Sequence, residues 1–140
     1  MKHRLMYILG IISLILSSFI LLLMFFWSIY PYEPIVINKE PIKVITKEVK
    51  KGDILIYELD YCKNNKNKVE ISRSFVDGIV FATPTVTTEN PLGCTVSNIS
   101  IQVPETLPNG EYYLKVSYSY QVNPIRKVSV DSTTETFTVK

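Results

Sequence analysis

The sequence predicts an all-β domain, an antiparallel sandwich or barrel of about seven short strands, behind a single N-terminal transmembrane helix. Three observations carry this. Residues 5–30 are apolar without one charge. The remainder consists of short runs rich in Val, Ile, Thr and Tyr, punctuated by Gly, Pro, Asn and Asp. Within those runs, apolar residues recur at every second position, the period of a strand with one buried face.

The helix comes first. At ~1.5 Å per residue, LMYILGIISLILSSFILLLMFFWSIY extends ~39 Å, enough to cross the ~30 Å hydrocarbon core with some tilt. Lys2, His3 and Arg4 precede it and no Lys or Arg follows until Lys39, so residues 1–4 are expected in the cytoplasm and the rest outside. Trp27, Tyr30 and Tyr32 are placed for an aromatic belt at the outer interface. A cleaved signal peptide would have a shorter apolar core, of ~7–15 residues, ending at small residues. This run is longer and lacks Ala, which favours an uncleaved anchor, and no Cys near its end marks a lipoprotein.

Pro31 disfavours helical geometry in the residue before it, and Pro31, Pro34 and Pro41 suggest an extended stalk over 31–41. The domain, 42–140, then unfolds as IKVIT (42–46), ILIYELDYC (54–62), VEISRSF (69–75), IVFATPTVTT (79–88), TVSNISIQV (95–103), EYYLKVSYSYQV (111–122) and a last run to Val139. Leu55, Tyr57, Leu59 and Tyr61 share one face, as do Ile99, Ile101 and Val103, and Tyr112, Leu114, Val116, Tyr118 and Tyr120. In the last run Val128 and Val130 differ in parity from Phe137 and Val139, which a bulge or turn at Asp131 and Ser132 would reconcile.

Charge and residue inventory exclude several functions. The formal net charge of +2 is supplied by Lys2 and Arg4, leaving a neutral domain that lacks the basic field nucleic acid requires. The single histidine, His3, precedes the helix, so the domain contains no histidine for a catalytic triad or a common zinc site. Glu58 and Asp60 share a strand face, but no Asp-rich loop accompanies them, and a solvated face is the simpler reading. No enzyme, metal or cofactor is expected. Cys62 and Cys94 both follow the membrane segment, where export would permit one disulfide; two buried free thiols are the alternative.

TLPNGEYYLKV (106–116) resembles the E–F corner of immunoglobulin-like and fibronectin III-like domains. The resemblance implies an immunoglobulin-like sandwich in which Tyr112 starts strand F and its hydroxyl bonds back across the corner. The strand C Trp of antibody domains is absent, and the cysteines are not placed as the inter-sheet B–F pair. With the runs labelled A to G, Cys62 ends strand B and Cys94 precedes strand E, antiparallel neighbours whose ends would meet in a disulfide.

In that order the tether holds the end bearing the B–C loop, KNNKNK (63–68), and the F–G turn. Lys63, Lys66, Lys68, Arg126 and Lys127 are then candidate contacts to lipid or an acidic partner, and Tyr113, opposite Tyr112 in facing, is a candidate exposed contact. The functional expectation is a membrane-anchored extracytoplasmic interaction module with a protein or glycan partner. The alternative is a structural accessory subunit assembled through its transmembrane helix.

Overall fold

The computed structural model describes residues 2–29, 32–89 and 91–140, and the side chains of Lys2 and Leu5 fall outside that description. Tyr30 and Pro31, where the helix is expected to end, and Asn90 in the turn before Cys94 also lie outside the described residues. The chain is mostly β, with two sheets and one N-terminal apolar helix, and it divides into two compact units.

Helix α1 spans Lys2–Ile29, and its segment Met6–Ile29 is long and apolar enough to cross a membrane. Its large apolar side chains are exposed around the whole circumference, unlike those of a helix folded into a soluble core. Ser28 donates its hydroxyl to the Met24 carbonyl at 2.9 Å, satisfying a polar group within the helix itself.

The described residues form eleven strand segments: β1 (Ile35–Ile37), β2 (Lys43–Val44), β3 (Glu48–Val49), β4 (Ile54–Lys63), β5 (Val69–Asp77), β6 (Ile79–Ala82), β7 (Val86–Thr88), β8 (Gly93–Gln102), β9 (Gly110–Asn123), β10 (Arg126–Thr133) and β11 (Phe137–Val139). In the first sheet β4 is flanked on one side by β1 and β2 and on the other by β8, all antiparallel. The second has the order β3-β11-β9-β5-β6, with β10 also on β9 and β7 also on β5. Within it, β3 and β11 run parallel.

Both sheets feed one hydrophobic cluster. Leu55, Tyr57, Leu59 and Tyr61 enter from β4; Val69, Ile71 and Phe75 from β5; Tyr112, Leu114, Val116, Tyr118 and Tyr120 from β9. Strict alternation on β4 and β9 puts every second side chain into it, and Phe75 meets Phe137 edge-on with ring centroids 6.1 Å apart. The β5–β6 hairpin pairs Asp77 with Ile79 around Gly78 alone, whose φ of 67° a side chain with a Cβ rarely adopts.

Four features differ from the sequence expectation. Residues 31–41, read as a stalk, contribute β1, which pairs Ile35 with Lys63 and buries Ile35. Three residues are too few for alternation to register, and burial of Ile35 drives the pairing. The first expected strand, 42–46, shortens to β2, and β3 follows at Glu48–Val49, outside the expected runs, in the other sheet; Pro84 separates β6 from β7 because proline cannot donate to a ladder. The parity change in the last run lies at Glu135 and Thr136, not at Asp131 and Ser132: Ser132 and Thr134 still face inward, then Phe137 and Val139.

Candidate functional site

On β5 the inward positions are Val69, Ile71, Arg73 and Phe75, so the strand's alternation carries an arginine toward the cluster. A guanidinium cannot be left there without hydrogen bonds. Arg73 donates Nε–H to the Tyr57 hydroxyl at 3.0 Å, joining β5 of one sheet to β4 of the other. Burial pushes the Tyr57 phenol above its ordinary pKa, and the adjacent guanidinium pulls it back. The Arg73 backbone is held as well, because its carbonyl accepts both the backbone N–H and the hydroxyl of Thr83, each at 2.9 Å.

The remaining face of Arg73 lines a cleft of about 700 Å³, within the ~300–1,000 Å³ range of ligand sites. Ala82, Thr83, Pro84 and Val86 form the wall around β6 and β7, while Ser100, Ile101, Gln102 and Val103 form the wall along the end of β8. Glu105 stands at its rim, exposed. No carboxylate lies within salt-bridge distance of Arg73 among the described residues. A partly desolvated guanidinium fixed through Nε keeps its two terminal nitrogens for an incoming acceptor, the geometry that suits a carboxylate.

The residues singled out from sequence are distributed differently. Cys62 and Cys94 are bonded at 2.03 Å across directly paired positions of β4 and β8. Tyr112 is buried at the start of β9 and donates its hydroxyl to the Pro108 carbonyl at 3.1 Å, across the corner. Tyr113, on the other face, is half-buried.

The expected basic contact surface is largely spent internally. Lys63 is a correction: only 2% exposed, it continues the inward parity of Leu55, Tyr57, Leu59 and Tyr61, and burial lowers its pKa. Lys68 pairs with Glu89 at 2.8 Å, and Lys127 pairs with Glu70. Arg126 opens β10 half-buried, and Lys66 is the exposed lysine of the 63–68 loop that forms no salt bridge among the described residues. Glu58 and Asp60 have polar neighbours: Asp60 accepts from Asn38 at 2.7 Å and lies 3.8 Å from Lys39, while Lys43 sits opposite Glu58.

Sequence reasoning passed over Arg73. Its signal was present in the parity of VEISRSF, where an arginine takes the third of four inward positions. The cleft itself brings residues 82–86 together with the end of β8, a juxtaposition that no local pattern encodes. No protein-family model matches the chain and no curated protein matches it, so the cleft is characterised by its own geometry.

Proposed function

We propose that this chain is a membrane-anchored extracytoplasmic interaction module, with α1 as its transmembrane helix and the cleft at Arg73 as its binding face. The two sheets are read as an immunoglobulin-like sandwich: β1, β2, β4 and β8 correspond to A, B and E, and β5, β6, β9 and the β10–β11 pair to C, C′, F and G. The shared hydrophobic cluster, the Arg73–Tyr57 bond between sheets and the corner bond of Tyr112 all support that arrangement. The disulfide supports an oxidising compartment, and with the positive flank of α1 it supports a cytoplasmic N-terminus.

The observation that carries the functional reading is Arg73 in an open cleft, bonded to Tyr57 but without a carboxylate partner among the described residues. A domain serving only as a packed cap has no reason to leave a half-buried cation uncompensated, since such a group costs stability unless a partner completes it. Attraction to lipid through the 63–68 loop is a weaker reading, because Lys63 is buried and Lys68 is neutralised by Glu89.

The test uses the full chain in cells with a photo-crosslinking amino acid at Val86, once with its own helix and once with an unrelated apolar helix. A tethered module yields the same crosslinked species in both, while loss of the species on exchanging the helix transfers the role to assembly through α1. Protease added outside should remove the region after Tyr32 and spare the N-terminus, and mature chain starting near residue 30 would overturn the anchor.

A further inference from the structure

Beside the cleft runs a strand edge with no neighbouring strand among the described residues. β8 is ten residues long and pairs only with β4 among the described residues. Its sequence, GCTVSNISIQ, contains no charged residue and no proline. Natural sheets normally protect an exposed edge with a lysine, a proline, a bulge or a covering loop, because unpaired backbone groups template another strand.

The backbone groups at this edge can be assigned. Ile56 and Asp60 turn their carbonyls away from β8, toward the β2 and β1 side, so Leu55, Tyr57 and Leu59 turn theirs to Ile101, Ile99 and Ser97. Val103 continues the same side, with its N–H donated to the Asp53 carbonyl at 2.9 Å and its carbonyl accepting from Gly52 at 3.0 Å. By alternation, the N–H and C=O groups of Val96, Asn98, Ser100 and Gln102 face outward from the sheet edge.

We infer that an extended segment of another polypeptide adds to this edge as a strand and sets a carboxylate on Arg73. The inference rests on the interaction-module reading and names the ligand of that same cleft. Ser100, Ile101 and Gln102 are consecutive and all line the cleft, which a strand achieves only along its edge, since alternate side chains leave opposite faces. An added strand lies ~4.8 Å from β8 and covers Ile99 and Ile101, which the domain leaves half-buried. Main-chain bonds to Ser100 and Gln102 supply affinity irrespective of sequence, and the Arg73 fork selects for an acidic residue at one position of the segment.

The full chain in lipid nanodiscs is incubated with a pool of nine-residue peptides, randomised at alternate positions around a central Asp, beside the same pool with Asn. Retained peptides are sequenced, and amide hydrogen exchange is followed at Val96, Asn98, Ser100 and Gln102. The Asp pool should be retained about tenfold better, and bound peptide should slow exchange at those four amides, the scale of a charge-assisted bond. Arg73→Gln should abolish the Asp preference while leaving weak pairing, and Ser100→Pro, which removes an outward N–H and leaves the β4 ladder intact, should abolish both. Arg73→Lys, retaining charge without the fork, should keep only part of the preference.

Equal retention of the two pools, or an Asp preference surviving Arg73→Gln, overturns the inference. Protection of β8 that rises with protein concentration without peptide assigns the edge to a second copy and overturns it too. Glutarate competing at Arg73 without any protection of β8 would assign the cleft to a small carboxylate. Failure of the peptides while the Val86 crosslink persists removes this inference alone; loss of both removes the interaction-module reading with it.

Discussion

Strands β8 and β9 have the same alternating pattern and opposite fates. β9, Gly110–Asn123, is paired on both sides, and its five inward residues from Tyr112 to Tyr120 are all buried. β8, Gly93–Gln102, is paired on one side; Thr95, Ser97, Ile99 and Ile101 face inward but none is fully buried. Alternation therefore specifies which face a residue takes, while depth is set by what covers that face. What keeps β8 in place is its full-length register with β4 and the Cys62–Cys94 bond, which compensate for the packing that β9 receives from neighbours on both sides.

The largest difference between the strands should emerge at alkaline pH. β9 buries Tyr118 and Tyr120, whose phenols are raised by desolvation, Tyr120 to about 12 and Tyr118 further, and Tyr57 opposite them is raised as well. A phenol whose folded pKa lies above its unfolded value of ~10 contributes stability that is complete below pH 10 and is lost as pH rises through the folded value. The full chain should accordingly hold its structure to about pH 10 and unfold cooperatively over the next ~2 units, ionisation of Tyr118 and Tyr120 and near-ultraviolet circular dichroism changing together. β8 carries no group that titrates in this window. Ionisation of Tyr118 or Tyr120 themselves near pH 10 in an intact domain, read from their own ring resonances, would mean that the β9 face is open to water.

Next in size is a matched pair of truncations. Leu114 on β9 is 0% exposed, so Leu114→Ala should lose about 3 kcal/mol through lost transfer energy and the cavity left behind. Ile101→Ala on β8 removes a half-buried side chain facing the cleft, where water can refill the space, and should lose about 1 kcal/mol. Denaturant unfolding of both variants in the same detergent measures the contrast. Equal losses would mean that β8 is covered as deeply as β9 and that the cleft is closed.

Much of this contrast is written locally, and the rest is not. The helix follows from an uncharged apolar run, the inward faces of β4 and β9 from parity, and the corner from the resemblance of TLPNGEYYLKV to an immunoglobulin-type E–F corner. The basic loop misled because Lys63 was read by residue type, as loop, when its parity with Tyr61 extends β4 by one residue. Arg73 was missed for the same reason. The covering of Ile35, the separation of β2 from β3, and the opening between β7 and β8 depend on pairings between residues distant in sequence, such as Ile35 with Lys63 and Val49 with Val139, and a single sequence does not reveal them.

The smallest expected effect tests the register of β9 itself. Tyr112 and Tyr113 are adjacent and chemically identical, and only the pleat distinguishes them. Tyr112 is 1% exposed, its ring meets Phe81 edge-on at 6.3 Å and packs over Gly110, and its hydroxyl donates to Pro108. Tyr112→Phe keeps the ring and leaves the Pro108 carbonyl without that donor, a loss of about 1–2 kcal/mol. Pro108 is exposed, so water takes over part of the bond and the lower end of that range applies. Tyr113 presents its half-buried ring to the opposite face, and among the described residues no bond from its hydroxyl joins it to the corner, so Tyr113→Phe should change stability by less than about 0.5 kcal/mol. Thermal unfolding of the two single variants and the double variant separates these contributions. A Tyr113 effect equal to that of Tyr112 would place both hydroxyls in bonds of similar strength, which a strand of period two at this position does not permit.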